Sequence, residues 1–188
     1  MGLARRLRFV RSEGELEVEG RRAKQYACPH CRRLGAVNAH GFLRGYSERG
    51  ENGVIRGRRF FCSNRGRRPG CGRTFSVLLR YFVAQHMVTA TCLSRFVAEL
   101  LEGGPLAEAW AIATDGAFHL RTGLRLWRRL RLSQGRLRRH LCRFGEAPSS
   151  MDHRVYTATW AHLAQSFPEN EDQLFAAFQE HTHVGLFG

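Results

Sequence analysis

Four of the six cysteines fall in two pairs whose spacing can do chemistry. Cys28 and Cys31 stand in the run Cys28-Pro29-His30-Cys31; Cys62 and Cys71 follow after thirty intervening residues. A C-x2-C turn aims two thiolates at one point, and a second pair across a hairpin completes the tetrahedron that Zn²⁺ takes with soft sulfur ligands. Pro29 pre-sets φ in the turn, and Gly72 permits the close backbone of a knuckle. Val54-Ile55 and Phe60-Phe61 run into Cys62 like a strand, and Thr74 to Leu79 leaves Cys71 like another. The pattern is that of a small antiparallel zinc ribbon holding one Zn²⁺ on Cys28, Cys31, Cys62 and Cys71. The competing reading is four buried or disulfide-bonded cysteines. His30 and His40 are substitute ligands that four cysteines make unnecessary. Four thiolates leave no open position for water or substrate, so the metal is expected to be structural. In finger-sized peptides such a metal supplies on the order of 10 kcal/mol of folding free energy.

The second pair is separated by eight residues rather than two. The intervening Ser63-Asn64-Arg65-Gly66-Arg67-Arg68-Pro69-Gly70 consists of turn formers and arginine, so it can loop out without disturbing the ligands. Arg65, Arg67 and Arg68, with Arg73 beside the last ligand, would offer charge to phosphates without a fixed fork.

The second chemistry is that of arginine. Net charge is +14, from 30 basic and 16 acidic residues, and Lys24 is the only lysine. Guanidinium binds phosphate and guanine bidentately and stacks on bases, which favours a nucleic-acid partner. Residues 1–80 carry +13 and residues 148–188 carry −4, so the tail is a different kind of surface. Arg121, Arg125 and Arg128 recur at i, i+4, i+7 with Arg129 alongside, away from Leu120, Leu124, Trp127 and Leu130. A helix so patterned can bury one side and present arginines to a major groove, with Thr122 near its start in reach of base edges. The alternative is a solvated basic face.

These residues require positioning elements. The chain reads as α+β in four parts: a basic N-terminal arm (1–25), the ribbon (26–80), a helix-turn-helix-like helical module (86–145) and an acidic helical tail (150–188). In the arm, Leu3, Leu7 and Val10 suit one helical face, and residues 14–20 alternate like a short exposed strand. The ribbon should hold strands near 37–44, 54–61 and 74–79. Leu93, Phe96, Val97, Leu100 and Leu101 mark an amphipathic helix capped by Thr89 or Thr91 and stopped at Gly103-Gly104. Pro105 suits the first turn of a second helix, broken at Thr114-Asp115-Gly116. A third helix spans 119–132. Ser133 would cap a fourth over 134–144, with Leu137, Leu141 and Phe144 inward and Arg136, Arg139 and Arg143 outward. Cys92 and Cys142 read as small buried hydrophobes. In the tail, Tyr156, Trp160, Leu163 and Phe167 form a stripe ended by Pro168. Asn170 and Gln173 resemble a capping box for a last helix. His181-Thr182-His183 reads as a frayed helix end.

Cys-Pro-His-Cys, Arg59-Phe60-Phe61-Cys62 and Cys71-Gly72-Arg73-Thr74-Phe75 together resemble the N-terminal zinc ribbon of bacterial insertion-sequence transposases. Residues 119–130 resemble the helix-turn-helix that follows it there. The resemblance covers roughly residues 26–145 and implies recognition of transposon-end or operator DNA. The C-x8-C spacing departs from the family. The RNase H-like domain with its acidic metal-binding triad is not accommodated by the 43 residues after Gly145. Glu169, Glu171 and Asp172 more simply complement a helix dipole.

The resulting expectation is a non-enzymatic protein that binds double-stranded DNA, either a transposition accessory factor or a transcriptional regulator. The alternative is a protein–protein adaptor using the ribbon and tail, with only non-specific nucleic-acid affinity. The tail helices would serve self-association or partner docking, or else fold back on the basic module. No apolar run approaches membrane-spanning length and the N-terminus lacks a signal-peptide core, so a cytoplasmic, nucleoid-associated location is expected.

Overall fold

The computed structural model describes residues 8–67, 70–148 and 155–187. Among the described residues the architecture is α+β, with four strands and six α-helices. Strands β2 (Val37–Tyr46), β3 (Asn52–Cys62) and β4 (Thr74–Leu79) form an antiparallel meander at the expected positions. The sheet is not purely antiparallel, however. Strand β1 (Arg8–Val10) pairs parallel with β4, so the order is β1-β4-β3-β2.

The expected loose arm is thus part of the fold, although Leu3 and Leu7 lie outside the described residues. Residues 14–20 are helical, not extended: helix α1 spans Glu13–Arg21. The alternating glutamates suggest a strand, but local capping decides. The Ser12 hydroxyl accepts from the Glu15 backbone N–H at 3.2 Å, and the Glu15 carboxylate accepts from the Arg11 N–H at 2.8 Å. Leu16 and Glu19, three apart, then turn inward together.

Helix α2 (Ala90–Leu101) starts at Thr89, whose hydroxyl accepts from the Cys92 N–H. Helix α3 (Leu106–Thr114) ends at Asp115 and Gly116, both at positive φ. Helix α4 then runs unbroken from Leu120 to Leu141, where sequence periodicity suggests two helices divided at Ser133. It continues because one buried line passes through the expected break: Gly123, Leu126, Leu130, Gln134, Leu137 and Leu141. This line is rotated from the expected one. Leu120 and Leu124 are exposed, and Phe144, expected inward, is 42% exposed. The reason is Gly123, where the Trp110 indole takes the space a side chain would fill. Cys92 is buried as expected, whereas Cys142, just past the end of α4, is exposed.

Helices α5 (Val155–Ser166) and α6 (Leu174–Thr182) flank a 3-10 turn over Pro168–Gln173. Asn170 is a kink inside that turn, not the cap of α6. Leu163, Phe167, Leu174, Phe175 and Phe178 share one core with Phe96, Trp110, Leu130 and Leu141. The tail therefore folds back on the basic helices. A smaller core lies around Leu16, Val37, Phe60, Cys62 and Val77. His181 does not fray: it stacks on Phe167 with ring centres 5.2 Å apart.

Helix α6 also ties the helices to the sheet. Gln179 donates to the Arg80 and Phe82 carbonyls at 2.8 and 3.2 Å, and Glu180 pairs with both Arg11 and Arg80. Burial alone would raise the Glu180 carboxyl, but hydrogen bonds and charge from Arg11 and Arg80 outweigh it and hold it below the ordinary range. A depressed carboxyl contributes stability above its unfolded pKa and loses it as pH falls through the folded one. Glu180→Gln should therefore cost about 1–2 kcal/mol at neutral pH. Its deficit against the parent should shrink on acidification below the ordinary carboxylate range, as read from melting temperatures across pH.

Candidate metal centre and nucleic-acid interface

The sulfurs of Cys28, Cys31, Cys62 and Cys71 all lie within 4.8 Å of one another. Cys28 to Cys71 and Cys31 to Cys62 are each 3.7 Å. A tetrahedral metal with sulfur ligands at about 2.3 Å requires sulfurs about 3.8 Å apart. The four are free thiols, without disulfides.

Two knuckles present them. In the first, Cys28 N–H donates to the Arg33 carbonyl at 3.0 Å and Arg32 N–H to the Cys28 carbonyl at 2.7 Å. Arg32 closes this turn at φ 61°. In the second, Cys62 N–H donates to the Arg73 carbonyl and Gly72 N–H to the Cys62 carbonyl. The long loop is pinched at its base, where Gly70 N–H donates to the Ser63 carbonyl, so the extra residues leave the ligands undisturbed. A Cβ at Gly70 would overlap Cys62 Sγ, a requirement not evident from the spacing.

Backbone N–H groups of His30 and Cys71 point at Cys28 Sγ and Cys62 Sγ, each at 3.4 Å. Burial raises the Cys28 thiol and pushes Cys62 up to about 12. Cys31 is lowered to about 7, chiefly by a backbone N–H from Arg33. Two of the four therefore hold their protons unless a cation shares the site, and a bound soft cation deprotonates them outright. His30 is not among the ligands, since its Nε2 lies 3.3 Å from the Thr74 carbonyl. The ring of His40 lies against Phe61.

Of the loop arginines, Arg65 and Arg67 are exposed, as is Arg73; Arg68 lies outside the described residues. On α4, Arg121, Arg125, Arg128 and Arg129 are exposed and Thr122 is half-buried. Arg129 reaches His86 Nε2 at 3.1 Å. Because α4 is continuous, Arg139 joins the same outward line, extending it along a helix of 22 residues, about 33 Å, with the exposed Arg143 two residues past its end.

Arg56 is a positioning residue that the sequence pattern does not single out. Its guanidinium donates to the backbone carbonyls of Val83, His86 and Val88 and lies 4.5 Å from the Phe82 ring centre. Burial lowers it to about 10, so it remains a cation at neutral pH. It fixes the segment joining sheet to helices. Gly45 makes room for it, because a side chain there would overlap Arg56. The β2–β3 turn docks nearby: Thr89 donates to Glu48 at 2.9 Å, and a Cβ at Gly50 would lie 3.5 Å from Ala117 Cβ. The β2–β3 turn is thereby set against the amino end of α2 and the turn between α3 and α4.

No helix among the described residues is long and apolar enough to cross a membrane. No family model, curated protein or solved structure matches the chain.

Proposed function

We propose that the chain is a zinc-containing protein that binds double-stranded DNA with sequence preference and does not cut or join it. In this reading it acts as a transcriptional regulator or a transposition accessory factor in a cytoplasmic, nucleoid-associated setting. The observation that carries the reading is the row of exposed arginines along the free face of α4. The opposite face is sealed into the core, so the backbone that carries the row is held in place and only the arginine side chains must be ordered on binding. Helices α2, α3 and α4 act as the helix-turn-helix unit. Arg121, Thr122, Arg125 and Arg128 meet base edges in the major groove, where a bidentate arginine pairing discriminates by about 1–3 kcal/mol. Arg129, Arg65, Arg67, Arg68 and Arg73 meet phosphates. Zn²⁺ on the four cysteines supplies no chemistry beyond holding the knuckles together. The all-sulfur donor set and the sulfur spacings favour zinc over harder cations.

Arg125→Ala should weaken binding to a site selected from random duplexes about tenfold more than binding to unselected duplex. Arg65→Ala with Arg67→Ala should weaken both alike and lower the slope of log K against log salt by about 0.9 for each phosphate no longer neutralised. Titrations of both variants across several salt concentrations check this. If selectivity falls in the loop variant while Arg125→Ala weakens binding only generally, base recognition belongs to the metal-bearing sheet instead.

A further inference from the structure

Two residues at the middle of α4 break local rules on the side that faces away from the core. Leu132 is 79% exposed, more than any other large apolar side chain described. Gly135, one turn on, sits in a helix interior where glycine is disfavoured relative to alanine. It has no packing reason for being glycine, because a Cβ there would meet no atom within 4 Å. Nor does it end the helix, which continues to Leu141. At about 100° per residue, Arg121, Arg125, Arg128, Leu132 and Arg139 all fall within about 40° of the line opposite Gly123, Leu130 and Leu141. The arginine row is thus interrupted at its centre by one exposed leucine, with one residue that has no side chain beside it at the row's edge.

We infer that Leu132 and Gly135 form the point of closest approach between α4 and the floor of the major groove, and that Leu132 packs on a thymine C5-methyl group. This rests on the DNA-binding reading above. A straight helix laid along a curved groove goes deepest at its centre, while its ends stand nearer the phosphate walls. Arginines suit the ends. At the centre a short apolar surface is needed, and glycine lets backbone approach closely. Thymine alone presents a methyl group there, and apolar side chains read it. The occupant is set by charge: a row of guanidinium groups on a chain of net charge +14 complements a polyanion. Leu132 falls on the partner-facing line and Gly135 at its edge, about 60° round from Leu132, where such departures mark function.

The test uses the full chain and two duplex pools of random sequence, identical except that deoxyuridine replaces thymidine in one. Parent protein should bind the thymine pool about fourfold more tightly for each methyl packed on Leu132. Leu132→Ala should abolish that preference. Gly135→Ala should move two readouts in opposite directions. The free protein should melt about 2–4 °C higher, because alanine is the better helix former and its Cβ meets nothing. Duplex affinity should fall roughly tenfold or more, because the methyl obstructs the approach. Equal parental affinity for the two pools, a preference that survives Leu132→Ala, or undiminished binding by Gly135→Ala would overturn the inference. In those cases Arg125→Ala still weakens binding if the DNA reading holds. Absence of any duplex binding by the parent chain would overturn that reading as well.

Discussion

Cys71→Ser should release the metal and unfold the sheet end of the protein. The purified parent should hold one zinc per chain. Cys28 and Cys62 belong to the smaller core with Leu16, Val37, Phe60 and Val77, so the site and that core stand or fall together. Without a cation, the two buried thiols retain their protons and four sulfurs crowd within 4.8 Å of one another with no shared charge to hold them together. A structural zinc is worth on the order of 10 kcal/mol in finger-sized peptides, so removing it should outweigh any of the other substitutions proposed. Elemental analysis of the variant should show no zinc, and chelation of the parent should lower its melting temperature reversibly on zinc return. One zinc retained by Cys71→Ser at unchanged affinity would exclude Cys71 as a ligand.

Gly123→Ala should destabilise the helical core by about 1–3 kcal/mol, although helix propensity alone favours alanine by about 1 kcal/mol. A Cβ at this position would lie 2.5 Å from Trp110 Cδ2 and 2.8 Å from Cγ. The indole cannot retreat easily. Its Nε1 donates to the Phe118 carbonyl at 2.8 Å, and Phe96 stands edge-on against it at 5.1 Å. The strain must move α4, so duplex affinity should fall with stability. Chemical denaturation of Gly123→Ala beside Gly135→Ala gives the contrast: one glycine is required by packing and the other is not. A variant at position 123 as stable as the parent would show that α3 and α4 do not approach this closely.

Much of this architecture is legible in the chain because its signals are local. The cysteine spacing locates the knuckles, glycine punctuation bounds β2, β3 and β4, and Thr89 and Gly103 bracket α2. What escapes depends on partners distant in sequence. Strand β1 forms only because β4 offers an edge to Arg8–Val10. The rotation of α4 is set by Trp110, thirteen residues before Gly123, and not by its leucine count. The junction of sheet and helices rests on Arg56 and Glu180, whose hydrogen-bonding partners lie 27 to 169 residues away. At α1 the deciding signal is local after all: Ser12 followed by Glu15 is a capping pattern, and it outweighs the alternation of glutamates that suggests a strand.

The most direct measurement is titration of the full, zinc-loaded chain against long duplex DNA, with heparin as competitor and across a range of salt. The account predicts binding that persists against heparin at a selected site. It also predicts log K falling linearly with log salt, at a slope of about −3 or steeper, because several α4 and loop arginines each release counterions. No binding in the presence of heparin, or a slope near zero, would contradict it.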